Sequence, residues 1–127
     1  MRLKHLFTAH SVVALINGAG CVLAPKSYPS LFGISLSGSD AIFMARLLGA
    51  ALLTYCSVAW FARDAGDSAA RRAIVLGFFI SVTIGFILSL LAQLSGVMDA
   101  LGWGIVGLYF LMGLGYGYFH FIKPEAL

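Results

Sequence analysis

The chain has 127 residues, 61% of them hydrophobic and 10% charged, with a mean hydropathy of +0.97. A water-soluble domain carries about 25% charged residues, so this composition excludes one with an ordinary polar coat. The net charge of +3 does not indicate a nucleic-acid binder, because Lys and Arg stand at the ends of apolar runs instead of clustering on one face.

Each bilayer crossing consumes about 20 residues, so the length allows one transmembrane domain, residues 1–127. The first run, MRLKHLFTAHSVVALINGAGCVLAP, begins basic and turns apolar like a signal peptide. A lipoprotein site at Cys21 would want Leu three residues earlier, where Gly18 stands. The run reads instead as a retained helix over about 4–24, ended by Pro25. Residues 25–39 form the one long loop, punctuated by Pro25, Pro29, Gly33 and Gly38. Tyr28, Leu31, Phe32 and Ile34 make it too apolar for a free linker, so an interfacial segment is expected.

A second helix is expected over about 40–63, with Ser39 or Asp40 as its cap. A tight turn with Gly66 as the stop follows, and Asp67 or Ser68 caps a third helix over 69–94. Ser95-Gly96 ends that helix, and Asp99 caps a fourth over 99–122. The fold class is therefore all-α, a four-helix antiparallel transmembrane bundle. Six Lys and Arg fall on the side of the termini and the second turn: Arg2, Lys4, Arg63, Arg71, Arg72 and Lys123. Only Lys26 and Arg46 fall opposite, which predicts both termini in the cytoplasm. Cys21 and Cys56 lie at depths about 15–20 Å apart, too far for a disulfide.

Small and polar residues mark contacts between membrane helices, where lipid-like Leu surfaces gain little. The expected inward stripes are His10, Ala14, Asn17 and Cys21; Ala41, Ala45 and Gly49; Gly77, Ser81, Gly85, Ser89 and Gln93; and Gly102, Val106, Tyr109, Gly113, Tyr116 and His120. Some of them can equally face a second protomer, so an oligomer or a larger membrane complex is among the expected partners, together with the lipid bilayer.

Arg46 is a charge within an apolar run, about two turns or 9 Å below the start of its helix, and a charge there asks for a partner. Asn17, Gln93 and Asp99 fall in the same leaflet. These four residues are the candidate ligand site, for an anion or an amphipathic small molecule, since a guanidinium presents a bidentate fork. The plainer reading is that Arg46 snorkels outward and pairs with Asp99 or Asp40. His10 and His120 are placed to face each other, but no HxxxH, CxxC or acidic pairing supports a haem or a metal, and no cofactor is expected. Tyr55, Cys56, Ser57 and Tyr109 gather near mid-membrane, to line a small cavity or to bond between helices. No Asp or Glu lies deep in a span, which disfavours carboxylate-coupled proton transport. No nucleophile–base set is present, so no catalytic residue is named.

The runs LFGISLSGSDAIFMARLLGAALLTYCSVAWFAR, RRAIVLGFF and LGWGIVGLYFLMGLGYGYF resemble a broad group of small bacterial four-helix membrane proteins, loosely similar to the DoxX-like proteins. The resemblance implies a four-helix bundle in a bacterial inner membrane and transfers no functional residue. The leading expectation is a non-enzymatic accessory or scaffold subunit. The alternative is a binding or transport protein with its site around Arg46.

Overall fold

A computed structural model describes residues 2–122, which among themselves form only helices and turns. In chain order these are α1 (Leu3–Leu23), the single turn α2 (Ser27–Ser30), α3 (Ser39–Ala62), α4 (Ala69–Leu94) and α5 (Gly102–Gly117), which a π-helical turn extends over Tyr118–Ile122. The four long helices are each long and apolar enough to cross a membrane. At 1.5 Å per residue, 21-residue α1 covers about 32 Å, close to the hydrocarbon thickness. Their outer faces suit lipid: Leu23 is 82% exposed and Phe61 81%.

Local chemistry explains where the helices start. Ser68 caps α4, its Oγ accepting the Arg71 N–H at 3.1 Å. At α3 the residue before the helix is Gly38, with φ +86°, so Ser39 and Asp40 fall inside the first turn. Asp40 still meets the positive end of the helix dipole there. The last helix begins at Gly102, three residues later than the sequence pattern suggests. Asp99 is held in a preceding turn, its Oδ1 accepting the Leu101 N–H and its carbonyl the Gly102 N–H, both at 3.0 Å.

Helix α1 packs along α3, and α4 along α5. The first pair crosses backbone on backbone: a Cβ at Gly49 would stand 2.7 Å from the Gly18 carbonyl oxygen, and one at Gly18 would stand 3.0 Å from that of Gly49. In α4, Gly85 makes room for the Tyr109 ring of α5, and in α5, Gly115 makes room for Leu6 of α1. Burial from lipid contributes little, so such close approaches, with their dispersion contacts, supply much of the cohesion.

The inward stripes of three helices are recovered. His10, Ala14 and Cys21 of α1, Ala45 and Gly49 of α3, and Gly102, Val106 and Tyr116 of α5 are all buried. Helix α4 differs. Its buried residues are Arg71, Val75, Phe78, Val82 and Ser89, whereas Gly77 is exposed with none of the described residues near its would-be Cβ. The rest of the expected stripe does meet the bundle: Ser81 bonds to Tyr55, Gly85 lies against the Tyr109 ring, Ser89 is buried and Gln93 bonds to the Asp99 carbonyl. Gly77 falls outside because a four-residue repeat advances about 40° per step and it stands at one end.

Two ends of the bundle can now be named. The terminal end carries the start of α1, the α3–α4 turn and the π-helical turn; the loop end carries residues 24–38 and 95–101. At the terminal end Phe7, Phe78 and Tyr116 form the centre of the core, with ring centroids 5.4–6.0 Å apart. All the ion pairs among the described residues also lie there: Lys4–Asp64, Arg63–Asp64, Arg71–Asp67 and Arg72–Asp67. At the loop end, α2 folds back over the bundle. Pro29 is buried, and the Phe32 carbonyl accepts the Asp99 N–H at 2.7 Å.

Candidate functional site

Between the two helix pairs, towards the loop end, lies a cavity of about 220 Å³. Its walls are mainly apolar, with Ala14, Leu52, Val82, Ile105, Leu108 and Met112 among them. Polar atoms come from His10, Asn17, Tyr28, Tyr55, Ser81 and Tyr109. The cavity extends under α2, where Tyr28, Pro29, Phe32 and Ile34 close its end, and half-exposed Leu48 stands at its edge.

Each polar group is held by its own element. Asn17 Nδ2 donates to the Val13 carbonyl one turn back at 2.8 Å, which turns its Oδ1 towards α2. There it accepts the Tyr28 hydroxyl. The Tyr28 ring lies directly over Gly20, so the glycine is what lets the loop settle this low. Burial, and secondarily Cys21, push the Tyr28 phenol above its ordinary value, so it stays protonated and donates. Deeper in, the Ser81 hydroxyl donates to Tyr55 Oη at 3.2 Å, joining α4 to α3. At the floor the His10 Nδ1 and the Tyr116 hydroxyl are 2.7 Å apart, joining α1 to α5. His10 is further enclosed by the Phe78 ring, with centroids 4.7 Å apart.

The four site residues suggested by the sequence do not converge. Asn17 lines the cavity. Gln93 and Asp99 meet each other at the α4–α5 turn, Gln93 Nε2 donating to the Asp99 carbonyl at 3.0 Å. Gln93 Oε1 is buried over Gly102 with no donor among the described residues. Arg46 is exposed and makes no ion pair or side-chain hydrogen bond among the described residues, so the expected clasp to Asp40 or Asp99 is not formed. It follows Ala45, which faces α1, and precedes Leu48 by two residues, or about 200° of helix, which turns it away from the cavity.

The two histidines are also separate. His10 is spent on Tyr116, while half-buried His120 meets Phe121 edge to face. No group of three or more metal-ligating side chains gathers among the described residues. Both cysteines are free. Tyr55 and Tyr109, suggested as cavity residues, do line it. Ser57 instead points outward and bonds to its own helix at Leu53.

What the sequence did not offer was the role of the loop. Tyr28 and Phe32 read as interfacial anchors, yet they roof the cavity. The available signal was Asn17, a polar residue on an inward face one turn from Gly20, in need of a partner. Chemically the arrangement suits an apolar body with one or two hydrogen-bonding groups. Among the described residues it is lined by no Asp, Glu, Lys or Arg, and the hydroxyl held against a base is that of Tyr116 on His10, which is fully buried beneath the floor. No protein-family model, characterised protein or solved structure matches the chain.

Proposed function

We propose that this is a non-enzymatic multi-pass membrane protein that binds a lipid-like or other amphipathic small molecule between its two helix pairs. The cavity carries the proposal: it has apolar walls, a few fixed polar groups and a loop as roof, the usual composition of a small-ligand site. The ligand's apolar body lies along Leu52, Val82 and Leu108, and its polar end meets Asn17 and Tyr28. The excess of Lys and Arg at the terminal end supports a cytoplasmic placement of that end. The resemblance to small bacterial four-helix proteins supports a bacterial inner membrane.

Native mass spectrometry of the gently extracted chain tests the binding. The expected spectrum shows one retained amphiphile per chain, lost in Val13→Phe, which fills the cavity from α1. Wild-type chain that flies without any adduct overturns the proposal.

A second reading, a scaffold subunit within an oligomer, is favoured by one observation. Among the described residues, nothing comes within 4 Å of a would-be Cβ at Gly77 on α4 or at Gly104 and Gly107 on α5. Such open glycines let another membrane helix approach closely. The same spectra report oligomers directly, and Gly104→Leu with Gly107→Leu abolishes them on this reading.

A further inference from the structure

The terminal end holds a second hollow, unrelated to the cavity, of about 240 Å³. Among the described residues it is lined by Arg2, Lys4, Arg63 and Arg71 against a single carboxylate, Asp64, a surplus of three positive charges (four minus one). Asp64 is already engaged, 3.1 Å from Lys4 Nζ and 3.7 Å from Arg63 Nε. The decisive residue is Arg71, whose side chain is only 6% exposed. Its Nη1 donates to the Ala65 carbonyl at 2.7 Å, which fastens the α3–α4 turn. Its Nε and Nη2 are buried with no hydrogen-bond acceptor among the described residues. The nearest carboxylate oxygen, Asp67 Oδ1, is 3.7 Å from Nη2 and is taken at 3.0 Å by Arg72. Fastening the turn needs one nitrogen of Arg71 and leaves the other edge unexplained. The Nε–Nη2 edge of a guanidinium presents two parallel N–H groups, the fork that fits two oxygens of a phosphate. Leaving charged donors buried without an acceptor is costly; Arg71 lines the hollow, so a small rotation of its side chain brings that closed-off edge onto an anion there and removes the cost.

We propose that this pocket binds a phosphate group, with the Nε–Nη2 edge of Arg71 as its inner clamp and Arg2 and Lys4 at its rim. A lipid headgroup and a free phosphate share this chemistry, and the test separates them. The full chain is purified in an uncharged maltoside detergent without phosphate. Its thermal midpoint is followed on adding sodium phosphate, or short-chain phosphatidic acid, against sodium chloride at equal ionic strength. Stabilisation by both supports the site and makes free phosphate sufficient; stabilisation by phosphatidic acid alone supports it and assigns the headgroup. Arg71→Lys keeps the charge and removes the fork, so apparent affinity falls about tenfold. Arg2→Gln, an exposed change that leaves the ligand-free midpoint in place, weakens binding about threefold. The proposal is overturned if neither additive shifts the wild-type midpoint, or if Arg2→Gln and every Arg71→Lys sample that folds respond as the wild type does.

Discussion

The two ends of this bundle are held together differently. At the terminal end, rings fill the space between the helix pairs: Phe7 and Tyr116 are fully buried, Phe78 and Phe119 nearly so, and the Lys4–Asp64 ion pair ties α1 to the α3–α4 turn. At the loop end no ring cluster joins the pairs. The α1–α3 contact is made by facing glycine backbones, and the gap between pairs is roofed by a loop instead of being filled. In water an apolar gap of this kind would tend to close, because closure removes surface from solvent. In a membrane, lipid tails are as good a partner as Leu, so closure gains only packing. A membrane bundle can therefore keep an apolar cavity at one end cheaply, provided the other end is well fastened.

The contrast can be broken most directly where the loop end is tightest. Gly49→Val places a branched side chain against the Gly18 carbonyl and the Cys21 Cβ, and neither can yield without parting the helices. A loss of about 3 kcal/mol is expected, at the upper end for overpacking, measured as unfolding in mixed detergent. A wild-type-like midpoint would mean that the glycine crossing does not hold the loop end.

Next in size is the roof. Gly33 has φ +80°, and a Cβ there would come 2.9 Å from the Asp99 nitrogen. Gly33→Ala therefore combines backbone strain with loss of the Phe32–Asp99 latch, about 2 kcal/mol in all. The effect is local. The Asp99 amide should exchange faster and amphiphile retention should fall, with the terminal end unchanged.

Much of the fold was legible because membrane helices leave coarse signals. Apolar runs of 21–26 residues between Pro, Gly and charged stops set four helices, and small residues marked the inward faces, at mixed steps of three and four in α1 and α5 and at steps of four in α3. The α4 stripe marked contacts from Ser81 to Gln93 and missed at Gly77, where five positions of even spacing have drifted furthest around the helix. The candidate site was less legible. Leaflet depth grouped Arg46 with Asn17, Gln93 and Asp99, but depth leaves open which way a side chain points around its helix. The tertiary fold sent Arg46 outward, joined Gln93 to Asp99 and gave Asn17 to Tyr28. Nor does a sequence show an arginine whose second edge has no acceptor among the described residues, as at Arg71.

A smaller pair of changes sharpens the contrast between the ends. Tyr116→Phe leaves buried His10 without its partner at the packed end and costs about 1 kcal/mol. Tyr55→Phe removes a longer bond, 3.2 Å from Ser81, beside the cavity, and costs a few tenths of a kcal/mol by the same reasoning. Equal losses would show that packing does not differ in its demands between the ends.

The smallest effect is expected at Arg46, though it is the most conspicuous charge in the sequence. Its side chain is exposed, has no acidic partner among the described residues, and starts about two turns from a helix end. From that depth a long side chain reaches the interface with its charge while its methylenes stay in the apolar layer. The folded and unfolded membrane states then solvate it alike, so Arg46→Leu shifts stability by less than about 0.5 kcal/mol, in either direction. Amphiphile retention is also unchanged, because the residue points away from Leu48, Leu52 and Tyr55, which line the cavity. A variant that folds normally but releases its ligand would return the binding site to Arg46 and count against the cavity. Unchanged retention, set beside its loss in Val13→Phe, places recognition between the helix pairs and leaves Arg46 to position α3 against the headgroups.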